Sequence, residues 1–184
     1  TVRLNIGESG IGEKAIALTF DDGPSGYTEQ LLDGLEMYDA RATFFVVGEN
    51  AQSHPEIIER IIEDGHELGN HTYKHTYLGG KNKHLIEREI DLCDDAIFNH
   101  CEYSSKLLRP PGGIYDPIVS SVCAERGYTM VLWSIDTRDW SGADAKSIEK
   151  TIMDNIEDGA IILCHDFTSF KSNTVEALRV VIPK

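Results

Sequence analysis

Short apolar runs alternate along the chain with longer segments whose apolar residues recur at a helical spacing. The apolar runs predict strands at 15–20, 42–47, 66–69, 106–109, 129–134 and 160–164, and the periodic segments predict helices at 27–38, 54–64, 84–98, 115–126, 144–157 and 173–180. Gly65, Gly127 and Gly159 each follow a helical pattern and precede a strand, as C-terminal helix caps do. The alternation predicts an α/β fold of parallel strands, either a closed or nearly closed barrel or an open doubly wound sheet.

Two adjacent carboxylates follow the first predicted strand. In ALTFDDGPS, residues 17–25, the apolar run stops at Asp21 and Asp22, and a Gly-Pro turn signal follows. In both kinds of α/β fold, function collects at the C-terminal ends of the strands. Adjacent carboxylates repel each other and are costly to bury unless a positive group lies beside them. The pair therefore indicates a nearby cation or basic side chain, although a simple turn or helix cap is the alternative.

Two histidines follow the predicted strand 66–69, in the stretch GNHTYKH. His71 and His75 are four residues apart, and on a helical turn or in a compact loop that spacing lets two imidazoles converge on one ion. With Asp21 or Asp22 they provide two histidines and one carboxylate, the ligand set of a catalytic zinc-type site with an open position. One aspartate would bind the metal and the other would act as base on a water. With seven histidines in the chain, chance is the alternative for this pair alone.

Three further motifs lie at or after predicted strand ends. In RPPGG, Arg109 could pair with a carboxylate, and a backbone N–H after the prolines could serve an oxyanion. In DTRDW, Trp140 could line a sugar or acyl pocket, and Asp139 could orient a histidine. In IILCHD, an apolar strand ends at His165, a candidate general acid. Each motif alone also fits an ordinary loop, a core tryptophan or a structural histidine.

Composition narrows the classes of function. The chain has 184 residues, 41% apolar and 26% charged, which predicts one globular domain over residues 1–184. Its net charge of -14 disfavours nucleic acid and anionic membranes as partners. No apolar run approaches the ~20 residues of a membrane span, so we expect no membrane insertion, and no secretory signal is visible in the printed sequence.

The cysteine pattern is compatible with either a disulfide or buried free thiols. The chain carries Cys93, Cys101, Cys123 and Cys164, and the absence of a CxxC pair disfavours a structural zinc site. A Cys93–Cys101 disulfide suits a secreted protein, and buried free thiols suit the composition equally well.

Five motifs, taken in chain order, resemble those of the polysaccharide deacetylases of carbohydrate esterase family 4, which carry the NodB homology domain. They are TFDDGP, the HxxxH pair, RPP, DxxDW and LxH. RATFFVVG, residues 41–48, and GHELGNHTYKH, residues 65–75, also look like family sequence. The resemblance runs from about Ala15 to Phe167. It implies a distorted (β/α) barrel with fewer than eight regular units, and metal-dependent removal of acetyl groups, usually from N-acetylglucosamine polymers.

The resemblance also implies roles for individual residues. Asp22, His71 and His75 would hold the metal, normally Zn²⁺, with Co²⁺ or Ni²⁺ often accepted. Asp21 would be the general base, and Arg109 would orient it. On the opposite side, Asp139 would tune His165 as the general acid, and Leu163 and Trp140 would line the pocket for the acetyl methyl group.

The third motif departs from the family pattern. The family usually continues RPP with an aromatic residue, and this chain has Gly112 at that position. The backbone N–H of Gly112 can still donate to an oxyanion, but an aromatic group that would contact the sugar is missing. Tyr115 is the candidate replacement.

The expected activity is N-deacetylation of chitin or chitooligosaccharides by a monomer that is secreted or held at the cell wall, as the resemblance implies. A peptidoglycan N-acetylglucosamine deacetylase and an acetyl-xylan esterase are the alternatives among enzymes. Retention of His165 and Asp139 favours amide chemistry, because an amine leaves poorly unless it is protonated. A carbohydrate-binding wall protein that has lost useful activity is the alternative from another class.

Overall fold

The computed structural model describes residues 14–167 and 172–184. Its strands are β1 (Ala17–Asp21), β2 (Thr43–Val46), β3 (Glu67–Asn70), β4 (Leu107–Leu108), β5 (Thr129–Met130), β6 (Ile135–Asp136) and β7 (Ile161–His165). Its α-helices are α1 (Gly26–Glu36), α2 (Gly48–Ser53), α3 (Pro55–Glu63), α4 (Lys83–Cys101), α5 (Pro117–Glu125), α6 (Ala145–Asn155) and α7 (Thr174–Val181). None of these helices within the described ranges is both long and apolar enough to cross a bilayer.

The strands form one sheet in which every pairing is parallel, in the order β5-β4-β3-β2-β1-β7-β6. The edge strands β5 and β6 are consecutive in the sequence and are joined by residues 131–134. This connection can span at most ~18 Å, whereas the edges of a flat seven-stranded sheet lie ~29 Å apart. The sheet therefore curls into a nearly closed barrel, and the predicted distorted (β/α) barrel is confirmed.

The predicted strand 129–134 is wrong beyond Met130. Val131 still donates its N–H to the carbonyl of Leu108, but the chain then leaves that edge of the sheet. Ser134 donates its N–H to the carbonyl of Ile161 on β7, and the next residue begins β6, the strand at the other edge. The apolar residues of 131–134 cross the opening of the barrel instead of extending one strand, so apolar content alone gave the wrong boundary.

Alternation along β1 and β2 separates two packing layers. Phe20 and Phe44 face the helices and stack with ring centroids 5.0 Å apart, in the main core. Phe45 faces the barrel interior, where it packs with Val131. Because successive side chains of a strand point to opposite faces, Asp21 shares the interior face with Thr19 and not the face of Phe20. The pleat thus directs the first carboxylate of the DD pair into the barrel.

The Cys93–Cys101 disulfide is wrong, because all four cysteines are free thiols. Both residues lie on α4, eight positions apart. That spacing separates them by ~12 Å along the helix axis, beyond the ~7 Å that a disulfide can bridge between Cα atoms.

Candidate active site

The loop after β1 is held in an unusual backbone conformation. Asp22 has φ of 79°, in the left-handed region that an aspartate rarely occupies without support. The side-chain amide of Asn50 donates to the Asp22 carbonyl at 2.7 Å, and the N–H of Gly23 donates to Asp166 Oδ1 at 2.8 Å. A Cβ on Gly23 would lie 2.1 Å from Asp166 Oδ2, so only glycine fits there. These contacts fix the direction in which the Asp22 side chain projects.

Asp22, His71 and His75 form a cluster at the C-terminal ends of β1 and β3. Asp22 Oδ1 lies 3.4 Å from His71 Nε2 and 3.1 Å from His75 Nε2. The three candidate ligand atoms all lie within 4.8 Å of one another. The two histidines are presented by a compact loop in which Thr72 and His75 both have positive φ.

The donor set of this cluster fits a divalent transition metal. His71 Nδ1 lies 2.7 Å from the carbonyl of Arg109, so Nδ1 carries the proton and donates, which leaves the Nε2 lone pair facing Asp22. Asp22 Oδ1 is buried and has no hydrogen-bond partner among the atoms of residues 14–167 and 172–184. A buried, unpartnered carboxylate oxygen between two imidazoles calls for a cation, and two histidines with one carboxylate suit Zn²⁺.

Charge within the cluster keeps Asp22 ionised. Burial opposes ionisation of this carboxyl, but the two imidazoles beside it, His71 and His75, outweigh burial and hold the pKa of Asp22 well below its usual range. The side chain is therefore an anion, the form that binds a metal.

Arg109 provides the positive partner of the other carboxylate. Its side chain is fully buried, and Nη1 donates to Asp21 Oδ1 at 2.7 Å and to Thr19 Oγ1 at 2.8 Å. The guanidinium lies 4.2 Å from the ring centroid of Phe45 and donates further to two carbonyls of the crossing segment 131–134. Asp21 Oδ2 is left facing the cluster, 3.6 Å from His71 Nε2. Each aspartate of the DD pair thus has its own positive partner.

His165 and Asp139 form a second charged pair at the end of β7. Asp139 is buried, and its Oδ1 lies 2.8 Å from His165 Nδ1, while its Oδ2 accepts the backbone N–H of His165 at 2.7 Å. Burial disfavours the charged imidazole, but the hydrogen bond and charge of Asp139, with the charges of Asp21 and Asp22, raise the pKa of His165 to about 9. These contacts favour the imidazolium form of His165, the form that can donate a proton.

The four residues predicted to contact substrate differ in their placement. Gly112 lies in a 3-10 turn, Pro111–Gly113, with φ of 64°. Trp140 is half exposed, and its Nε1 donates to Asp136 Oδ1 at 3.2 Å. Leu163 is buried in β7 on the face shared by His165. Tyr115 is half exposed, and no hydrogen bond or ring contact in the described part of the chain ties it to the cluster.

Two residues at the site were missed by the sequence reasoning. Asp166 supports the β1 loop through Gly23 and also accepts a hydrogen bond from Thr28 Oγ1 at 2.6 Å. Its position directly after His165, at the end of an apolar strand, was the available signal.

Tyr77 is the second residue that was missed, and its ring lies 5.7 Å from that of His75, edge to face. Its signal was an exposed aromatic residue two positions after a predicted metal ligand.

A curled α/β barrel with a two-histidine, one-aspartate cluster at its strand ends fits the class of metal-dependent hydrolases. The sequence profile described as "Polysaccharide deacetylase" matches residues 9–131. The chain belongs to the polysaccharide deacetylase family, as its motifs predicted.

Similar proteins act on several acetylated polymers. The chain is 40% identical to a peptidoglycan-N-acetylglucosamine deacetylase of Bacillus cereus, over 94% of this chain and 82% of that protein. It is 37% identical to a chitooligosaccharide deacetylase of Sinorhizobium fredii, over 95% of this chain and 87% of that protein. Among solved structures, a family 4 acetyl xylan esterase from Clostridium thermocellum in complex with a cobalt ion superposes with a TM-score of 0.84 at 31% identity, over 91% of this chain and 82% of that one.

Proposed function

We propose that the protein is a metal-dependent N-deacetylase of N-acetylglucosamine polymers such as chitin or chitooligosaccharides. The observation that carries the proposal is that two groups adjoin one candidate metal cluster: a carboxylate oxygen of Asp21 that Arg109 does not occupy, and a histidine, His165, held by a buried aspartate. Asp21 Oδ2 lies beside His71, and the negative charges of Asp21 and Asp22 help to raise the pKa of His165. Amide hydrolysis requires a base for the attacking water and an acid for the departing amine, and Asp21 and His165 are the candidates for these two roles.

The chain's own residues divide this work between them. Asp22, His71 and His75 would hold the metal, and Zn²⁺, Co²⁺ or Ni²⁺ bound there would supply Lewis acidity for a water and for the acetyl carbonyl. Asp21 accepts the proton of the attacking water at Oδ2, because Arg109 occupies Oδ1.

Other residues around the cluster carry the remaining steps. The backbone N–H of Gly112 donates to the developing oxyanion. His165 gives its proton to the nitrogen of the sugar amine as the C–N bond breaks, and Asp139 holds the imidazole in position. Leu163 and Trp140 enclose the acetyl methyl group. The products are acetate and a free amino sugar.

Peptidoglycan is the second candidate substrate, because the similar protein of Bacillus cereus acts on it. Both candidate polymers present N-acetylglucosamine to the same chemistry. Both are also extracellular or wall materials, and on this ground we expect the protein to work outside the cytoplasm, as a monomer.

The proposal predicts acetate release that depends on a metal. Chelated protein, reloaded with Zn²⁺ or Co²⁺, is expected to release acetate from N-acetylglucosamine tetramer, and excess chelator is expected to abolish the release. Purified peptidoglycan and acetylated xylan, assayed in parallel, rank the alternative substrates. A metal-loaded protein that binds the tetramer and releases no acetate from any of the three polymers would instead support a carbohydrate-binding protein without activity.

A second prediction concerns pH. The Asp139→Asn variant is expected to lose activity at lower pH than the wild type on the alkaline side of the profile. The sign follows from the acid role: the reaction needs protonated His165, activity falls as pH rises through its pKa, and loss of the Asp139 charge lowers that pKa from about 9. A bound cation lowers the pKa in both proteins, so the measured quantity is the difference between their pH profiles of kcat/KM.

Asp136→Asn is the matched control for this pH prediction. Asp136 is the last residue of β6, three positions before Asp139, and accepts hydrogen bonds from Arg138 and Trp140; within the described ranges it makes no hydrogen bond or ion pair with His165. Its alkaline limb is expected to coincide with that of the wild type. Identical alkaline limbs in Asp139→Asn and wild type would remove His165 as the acid tuned by Asp139.

A further inference from the structure

Tyr77 lies beside the candidate metal cluster on the loop that carries both histidines. It follows His75 by two residues, and the two rings meet edge to face at 5.7 Å. The residue is 52% exposed, and the His75 side chain beside it is 37% exposed, so both rings lie where the cluster opens to solvent. The exposed surface of Tyr77 therefore borders the open side of the site.

The Tyr77 ring occupies space that depends on Gly112 lacking a side chain. A Cβ on Gly112 would lie 2.8 Å from Tyr77 Cε1, closer than a real Cβ contact. The family motif usually carries an aromatic residue at position 112, as described above. In this chain an aromatic ring reaches the same wall of the site from the end of β3 instead of from the end of β4. Tyr115, the replacement expected from the sequence, has no such contact among the described residues.

The surface next to this ring is also apolar. Ile114 is 51% exposed, and its Cδ1 would lie 3.7 Å from a Cβ on Gly112. On its other side, Ile114 Cγ2 approaches Gly79 so closely that a Cβ there would lie 2.8 Å away. We call the surface formed by Tyr77, Gly112, Ile114 and Gly79 the Tyr77 ledge. Tyr77 and Ile114 occupy space that a side chain on Gly112 or Gly79 would fill.

We propose that the Tyr77 ledge binds a pyranose ring that adjoins the reacting sugar, with the C–H face of that pyranose packed on the tyrosine ring. This inference rests on the proposed function, since it assigns a second sugar of the same polymer. A ring 5.7 Å from that of His75 is too close to the cluster for a distant subsite, and more than half of its surface is exposed to solvent. An amphipathic tyrosine suits a pyranose, which offers apolar C–H faces and polar edges. Tyr77 thus makes the protein prefer oligomers to single acetylated sugars.

The test compares Tyr77→Ala with wild type on N-acetylglucosamine tetramer and on monomeric N-acetylglucosamine. KM for the tetramer is expected to rise about five- to tenfold, the effect of losing one aromatic packing contact, with kcat changed less than twofold. kcat/KM for the monomer is expected to change less than twofold, so the preference for the tetramer falls. Tyr77→Phe is expected to keep most of the preference, because the packing ring remains.

Gly112→Ala tests the geometry independently. Its methyl group must displace the Tyr77 ring, so tetramer KM is expected to rise in the same direction. The substitution also strains a residue with φ of 64°, and this cost is present whether or not Tyr77 is there. Displacement of the ring, in contrast, requires that Tyr77 be present. In the Tyr77→Ala background, Gly112→Ala is expected for this reason to change tetramer KM much less than in the wild type. Independent, multiplicative effects would contradict the ledge.

Tyr38→Ala is the matched control. Tyr38 is similarly exposed, at 44%, and lies in the turn between α1 and β2, at the end of the barrel opposite to the site. Zinc content and thermal midpoint are measured for every variant, to separate a lost contact from a lost metal or a disturbed fold.

The outcomes distinguish this inference from the proposed function. If tetramer and monomer lose activity equally in Tyr77→Ala, or if tetramer KM does not change, the ledge is overturned while deacetylation stands. If metal-loaded wild type releases no acetate, the proposed function fails. Calorimetric titration with the tetramer then decides the ledge alone, because weaker binding to Tyr77→Ala than to wild type supports it and equal binding overturns it.

Discussion

Replacing Asp21 with asparagine is expected to reduce acetate release about 10³-fold while leaving the metal in place. An amide keeps an oxygen that can accept the Arg109 hydrogen bond at the position of Oδ1, so the local structure should persist. It cannot take a proton from water, and loss of a general base costs about 10²–10⁴ in rate. The measurement is kcat/KM on N-acetylglucosamine tetramer, with zinc per protein determined on the same sample.

Two results would contradict this assignment. Retained activity in Asp21→Asn would remove Asp21 as the base. Loss of zinc together with activity would make Asp21 a ligand, an alternative that deserves a direct check because Oδ2 lies 3.6 Å from His71 Nε2. Asp33→Asn is the control for a loss of one negative charge, because Asp33 is an exposed partner of Arg60 away from the barrel opening.

The alternation of strands and helices could be predicted because each strand is a short apolar run and each helix has an apolar stripe. Gly65 and Gly127 follow α3 and α5 with left-handed φ, so they mark these helix ends correctly. Gly159 also has a positive φ but lies in a separate turn, and α6 already ends at Asn155. A glycine thus shows where the chain turns, but not always which element it ends.

Other elements were beyond prediction for physical reasons. The helix α2 begins after Val47 without a side-chain cap and is short, so neither a start signal nor a full apolar period identifies it. The strand β6 has two residues, and its place at the edge beside β7 depends on closure of the barrel. Closure is a property of the whole sheet, and the residues of 131–134 carry no local sign of it.

That the site residues meet at one end of the barrel could be predicted from the sequence, but most of the individual contacts between their side chains could not. Parallel strands bring their C-terminal ends together, so Asp21, His71 and His165 had to approach one another. The specific pairing of Arg109 with Asp21 was expected only from the resemblance, and the structure places their side chains 2.7 Å apart. The contact between Tyr77 and Gly112 could not be predicted, because it depends on the φ of a glycine and on the path of a loop.

The two adjacent aspartates at the end of β1 have different surroundings because of the strand pleat and the turn that follows. Asp21 is the last strand residue and faces the barrel interior, where Arg109 neutralises it. Asp22 is in a left-handed conformation and faces the two histidines. Each of the adjacent carboxylates therefore lies next to a different basic group, which offsets the repulsion between them. We propose that this division keeps one oxygen free for a proton while the other aspartate binds the metal.

Removal of one histidine of the cluster is expected to have an equally large effect on metal binding. His71→Ala should weaken zinc binding at least a hundredfold, because loss of a ligand should exceed the 10–100-fold cost of losing an outer-shell partner. The wild type, at zinc a hundredfold above its Kd, gains about 2.7 kcal/mol of stability from the metal. At the same zinc concentration the variant should gain only about 0.4 kcal/mol. Zinc titration by calorimetry and thermal unfolding with and without zinc measure this without any assay of activity.

A second variant separates ligand loss from damage to the core. His71 is fully buried, so its removal leaves a cavity that itself destabilises the fold. His75 is partly exposed, and His75→Ala should lose zinc affinity to a similar degree while the metal-free protein keeps the stability of the wild type. His84→Ala, at an exposed position near the start of α4, is the control for removal of a histidine. Zinc affinity that is undiminished in both His71→Ala and His75→Ala would show that the cluster is not the metal site, and the paired aspartates would then need another explanation.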